Sequence, residues 1–91
     1  MIYNIDFTQQ ARDDISLLKK SEPSAFKKLE KLLLEIREHP MWGTGYPEKL
    51  KYDFAGCYSR RITNRHRLIY EVFEDTVRVL IISAYGHYND K

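Results

Sequence analysis

Between Gly56 and Tyr70 the chain alternates charge with bulk. Four arginines (Arg60, Arg61, Arg65, Arg67) and His66 are spaced among Tyr58, Ile62, Leu68 and Ile69, with no acidic residue in the stretch. Such alternation reads as two β-strands, Cys57 to Thr63 and His66 to Phe73, joined through Asn64-Arg65, where asparagine tolerates turn geometry. Arginines interleaved with Tyr, Ile and Leu cannot all be a solvated fringe. They imply a cationic sheet face, and such a face attracts phosphate.

The rest of the sequence supplies elements to build around that hairpin. Ile2 to Phe7 alternates as a strand with one face in the core, and Thr8 is a suitable N-cap for the segment after it. There Ala11, Ile15 and Leu18 recur at helical spacing. Ser21-Glu22-Pro23-Ser24 interrupts the helical pattern, because proline lacks an N–H and disfavours helical geometry in the residue before it. A second helix from about Ser24 to Glu38 carries an apolar stripe of Phe26, Leu29, Leu32, Leu33 and Ile36, and His39-Pro40 ends it. Met41 to Pro47 is a loop, and Glu48 to Phe54 reads as a further strand. Thr76 to Ala84 is apolar on both parities, which predicts a central strand covered on both faces. The expected fold is α+β: an N-terminal strand and a two-helix hairpin packed on a mainly antiparallel, twisted sheet of about four to five strands, in a single domain spanning 1–91.

Length and composition narrow the function. With 91 residues the core is modest, and a partner or an oligomer often supports such a chain. Net charge is only +2, but Lys49 to Arg67 holds Lys49, Lys51, Arg60, Arg61, Arg65 and Arg67 against Asp53 alone. One cysteine, Cys57, excludes an internal disulfide framework and suits a reducing cytosol. No apolar run approaches the length of a membrane span. The histidines and the cysteine have no zinc spacing, and neither a phosphate-cradling glycine loop nor a Ser/His/Asp arrangement is evident. What remains is a carboxylate at Glu48, guanidinium groups, and an imidazole and a phenol at His87-Tyr88. That set suffices for metal-free RNA cleavage, in which the ribose 2′-hydroxyl is the nucleophile and the enzyme supplies a base, an acid and positive charge.

Four segments in order resemble the YoeB/Txe group of bacterial toxins within the RelE/ParE superfamily. They are Gly43 to Lys51 (GTGYPEKLK), Tyr58 to Thr63 (YSRRIT), His66 to Tyr70 (HRLIY) and His87-Tyr88. Each alone is a weak pattern; their order and spacing behind a helical hairpin make the resemblance specific over nearly the whole chain. It implies a RelE-like fold and a ribosome-dependent endoribonuclease of the bacterial cytoplasm that cuts messenger RNA and inhibits translation. It also implies a cognate YefM/Axe-like antitoxin, with no cofactor. Asn89-Asp90-Lys91 extend past the His-Tyr pair, where members of the group often end.

The resemblance assigns Glu48 as general base, Arg67 as stabiliser of the transition state, and His87 as general acid. Tyr88 stacks on a base or orients the phosphate. Lys51, Arg61, Lys49 and Arg65 become contacts to phosphates. Each has a plainer reading: Glu48 pairs with Lys49 or Lys51, Arg67 bridges to Glu71, and His87 and Tyr88 are exposed residues near the chain end. Arg60 points away from Arg61, so both cannot serve one site from a regular strand. His66 is structural, because alternation turns it away from Arg67. Met41 and Trp42 cover the hairpin core or form a homodimer contact. Two other functions share this fold: inhibition of DNA gyrase by binding, as in ParE-like relatives, and a catalytically silent ribosome- or RNA-binding module.

Overall fold

The computed structural model describes residues 2–51 and 54–86. The expectations for Asp53, His87, Tyr88 and the 89–91 extension therefore lie outside the described residues. The chain forms β1 (Asn4–Phe7), α1 (Gln9–Ser21), α2 (Pro23–Glu38), β2 (Glu48–Lys49), β3 (Cys57–Arg61), β4 (Arg67–Phe73) and β5 (Arg78–Ser83).

Local chemistry explains the hairpin of helices. The Thr8 hydroxyl accepts the Ala11 N–H at 3.0 Å, satisfying one of the free donors at the start of α1. Pro23 does not merely break the helical run. It occupies the first turn of α2, where its missing N–H costs nothing and its fixed φ suits the helix. The stripe of Leu29, Leu32 and Ile36 on α2 and Leu18 on α1 is buried against one face of the sheet.

The sheet order is β1-β5-β4-β3-β2. β1 runs parallel to β5, and the other pairs are antiparallel, so the sheet is mixed. β5 is interior, as its apolar sequence predicts, but it is not equally covered on both faces. Val79 and Ile81 are fully buried under the helices, whereas Leu80 and Ile82 on the opposite face are half-buried. That second face is capped only locally, where Leu50, Cys57 and Ile69 cluster with Phe54 and Ile82. β5 also begins at Arg78 rather than Thr76, because residues 74–77 form a turn in which Val77 adopts φ 52°.

The strand expected over Glu48 to Phe54 is a correction. Only Glu48 and Lys49 pair with β3 in regular register. The Leu50 N–H still bonds the Cys57 carbonyl (2.9 Å), but the Phe54 N–H then bonds back to Lys51 O (3.1 Å). Burying Leu50 beside Cys57 and Ile69 draws the chain over the sheet and ends the ladder. At the β3–β4 connection Thr63 makes the turn rather than Asn64: its hydroxyl accepts the N–H groups of Arg65 and His66 at 3.1 and 3.2 Å.

Candidate active site

Directly opposed residues on neighbouring strands project to the same face of a sheet. Arg60 lies opposite Leu68, and Tyr58 opposite Tyr70, on the helix-covered face. Arg61 lies opposite Arg67, Ser59 opposite Ile69, and Glu48 opposite Ser59, on the other. Glu48, Arg61 and Arg67 therefore share the face that the helices leave open. Strand spacing and rise put the Cα atoms of Glu48 and Arg67 roughly 12 Å apart, a gap both side chains can reach into from opposite sides.

Arg61 and Arg67 face each other directly, and like charges so placed repel. Neither has an ion-pair partner among the described residues. The Arg67 guanidinium is half-buried and donates to the Thr63 carbonyl at 3.0 Å, not to Glu71. That bond steers the head group without neutralising it. Arg61 is exposed, with its guanidinium 5.4 Å from the centre of the Tyr46 ring. Arg61 and Tyr46, with Lys28, Gly43, Thr44 and Gly45, line a recess of about 330 Å³. Nothing in the spacing of the sequence hints at Tyr46 or Lys28; Tyr46 reaches this place because residues 43–46 turn back on β3, with Gly45 O accepting the Arg61 N–H at 2.7 Å.

The remaining predicted cations divide. Arg65 is exposed in the β3–β4 turn, and Lys51 is exposed just past β2. Lys49 lies opposite Tyr58, on the other face from Glu48, and lines a different recess with Met41, Tyr58 and Val72. The structure does not bring Lys49 together with Glu48 and Arg67.

Arg60 is no part of a cationic surface. It is fully buried, and its guanidinium donates to Tyr70 Oη (2.9 Å), Glu35 Oε1, and the carbonyls of His39, Trp42 (2.9 Å) and Thr44 (3.3 Å). Tyr70 in turn donates to Pro40 O at 2.6 Å. This network fixes the 39–46 segment that carries Tyr46 toward Arg61. Burial resists ionisation of Glu35, but hydrogen bonds from the Thr44 N–H and hydroxyl and from Arg60, with the Arg60 charge, outweigh it and hold its carboxyl below the ordinary 4.5. A carboxyl lowered in the folded state contributes stability that is complete above its unfolded value and lost as pH falls through the folded one. The melting temperature is thus expected to drop as pH falls below 4.5, and Glu35→Gln to flatten that part of the curve; thermal melts of both proteins across acid pH check this.

Cys57 is buried opposite Glu71, and burial, with that neighbouring carboxylate, pushes its thiol up, so it is not a poised nucleophile. Among the described residues no group of three or more His, Cys, Asp or Glu could hold a metal ion. No helix there is long and apolar enough to cross a membrane.

The end of the described chain returns to Arg67: its backbone N–H donates to Gly86 O at 2.8 Å. His87 and Tyr88 follow directly in sequence.

This arrangement has relatives. The sequence model for the YoeB-like toxin of bacterial type II toxin–antitoxin systems matches residues 7–88. The chain belongs to that family. Toxin YoeB of Escherichia coli K12 is 35% identical over 82 residues, covering 90% of this chain and 95% of that protein. The YoeB/ParE toxin from Agrobacterium tumefaciens superposes with a TM-score of 0.88 at 33% identity, covering 93% of this chain and 99% of that one. YoeB of Staphylococcus aureus is 38% identical, covering 97% of this chain and 100% of its own. It has been solved as a dimer (TM-score 0.83) and in a heterotetrameric complex with YefM (TM-score 0.80). The RelE-like α+β architecture expected from the sequence is the one these YoeB-like toxins share with it, and the chain is a toxin of a type II toxin–antitoxin system.

Proposed function

We propose that this toxin is an endoribonuclease that cuts messenger RNA on the ribosome through attack of the ribose 2′-hydroxyl on the adjacent phosphate. The observation that carries the reading is the open sheet face on which Glu48 and the opposed pair Arg61–Arg67 stand together, with the chain leading into His87-Tyr88 bonded to Arg67. Two unneutralised guanidiniums facing one another are relieved by a phosphodiester between them, and more so by the extra charge of the transition state. In this scheme Glu48 takes the 2′-hydroxyl proton, Arg67 holds the non-bridging oxygens, and His87 protonates the departing 5′-oxygen. Tyr88 stacks on a base or orients the phosphate. Arg61, Lys51 and Arg65 guide neighbouring phosphates; Lys49, on the other face, is left out of the site.

Glu48 is exposed, so the free protein does not by itself hold a 2′-hydroxyl against it. Alignment of the 2′-hydroxyl by the ribosome compensates, which gives a physical reason for ribosome dependence. The partner in the cell is a YefM-like antitoxin whose acidic segment covers this face; the complex of the Staphylococcus aureus relative supports that assignment, and its dimer supports self-association.

Purified toxin with programmed ribosomes is expected to cleave the message, leaving a 2′,3′-cyclic phosphate, whereas naked message stays intact. His87→Ala is expected to lose on the order of 10²–10⁴-fold in rate. Unchanged cleavage by that variant, or gyrase inhibition without cleavage in a parallel supercoiling assay, contradicts the reading.

A further inference from the structure

His66 is only 1% exposed and has no part in the chemistry above. Its ring is nevertheless fully engaged. Nδ1 accepts the Gly86 N–H at 2.8 Å, so that nitrogen carries no proton. Nε2 must then hold the ring hydrogen, and it lies 2.8 Å from Glu22 Oε2 at the junction of the two helices. A carboxylate on one side of the imidazole thus fixes the tautomer that makes an acceptor on the other. The sheet supplies a second hold, because the Arg67 N–H donates to Gly86 O at 2.8 Å. Both backbone groups of Gly86 are pinned by two consecutive residues of the hairpin, His66 and Arg67.

Neighbouring contacts lead the chain into this clamp. The Ala84 N–H bonds the buried Asp14 carboxylate at 2.9 Å, and the Tyr85 ring tilts against His66 with centroids 4.3 Å apart. Gly86 has φ 73°, while a side chain there would meet nothing within 4 Å. Glycine is therefore called for by the direction of the turn rather than by lack of space.

We propose that His66 and Glu22 are positioning residues: they fix the place and direction of Gly86, the residue before His87 in sequence, and through it serve the delivery of the general acid to the phosphate held by Arg67. This rests on the assignment of His87 as general acid. A displacement near 1 Å at such a group costs on the order of 10²-fold in rate, so a clamp one residue upstream has leverage over catalysis without touching RNA.

Two near-isosteric variants separate the two ring nitrogens. In His66→Asn the side-chain oxygen stands where Nδ1 stood and can still accept from Gly86. In His66→Gln the amide stands where Nε2 stood, keeping the donor to Glu22 and losing the acceptor. Single-turnover cleavage on programmed ribosomes and exchange of the Gly86 amide by NMR are the readouts, in the full chain. His66→Gln is expected to lose on the order of 10²-fold in the saturated rate with ribosome affinity unchanged, and to expose the Gly86 amide to exchange. His66→Asn should keep most of the rate and the protection. Equal losses in both variants, or wild-type cleavage by His66→Gln, overturn the proposal. If His87→Ala proves fully active, the nuclease scheme fails by itself. The amide then still decides the clamp: exchange accelerated only in His66→Gln upholds it, and continued protection in that variant overturns it.

Discussion

Arg67→Ala is expected to lower ribosomal cleavage by about 10²–10³-fold while shifting the melting temperature by only a few degrees. Among the described residues the guanidinium makes one hydrogen bond, to Thr63 O, whose net worth is about 1 kcal/mol. Its removal also ends the repulsion with Arg61 directly across the strand pair, which offsets part of that loss. Catalysis has no such offset, because the fixed charge at this point of the open face disappears. Arg67→Lys is expected to recover little, since an ammonium is a point charge and cannot bridge two phosphate oxygens as a planar guanidinium does. Single-turnover rates beside thermal melts check both statements. A variant that cleaves normally makes Arg67 an ordinary strand residue and removes the centre of the proposed mechanism.

Arg60→Ala is expected to act the other way, on stability first. It empties a fully buried site, takes from Glu35 its cationic partner, and leaves the Tyr70 oxygen and the carbonyls of His39, Trp42 and Thr44 without the Arg60 donors. Breaking a buried, hydrogen-bonded charge pair by deleting one partner costs about 3–5 kcal/mol. For a domain of this size that is a fall in melting temperature on the order of 20 °C. Lysine cannot reach five acceptors in different directions, so Arg60→Lys is expected to recover little. Denaturant titration at neutral pH is the direct measurement, and a loss below about 1 kcal/mol contradicts the hub role.

Adjacent arginines of one type thus carry opposite duties, and the sequence distinguishes them only in part. Strand alternation turns Arg60 away from Arg61. It does not show that Arg60 is wholly buried, because all its partners but Tyr70 come from the end of α2 and the loop after it, 16 to 25 residues earlier. The reach of the cationic face was overestimated for the same reason. The helical hairpin and the β3–β4 pair were legible because each rests on a local period, and the interior position of β5 because its residues are apolar on both parities. β2 was not, since its end is decided by where Leu50 finds apolar neighbours on other strands. Lys49 and Glu48 are adjacent in sequence, and the register alone separates them. Alternation marked His66 as structural, but not its partners, Glu22 and Gly86, which lie 44 and 20 residues away.

The pairing of β1 with β5 has a bearing on synthesis. The Thr8 hydroxyl reaches the carbonyl of Ile82, 74 positions on, and the register from Asn4 to Phe7 is satisfied only by Arg78 to Ile81. A growing polypeptide that has not yet emerged through β5 can close neither this parallel edge nor the clamp on Gly86. Both closures therefore wait until β5 and Gly86 have been made, so the sheet is completed only well after the two helices that cover it have left the ribosome.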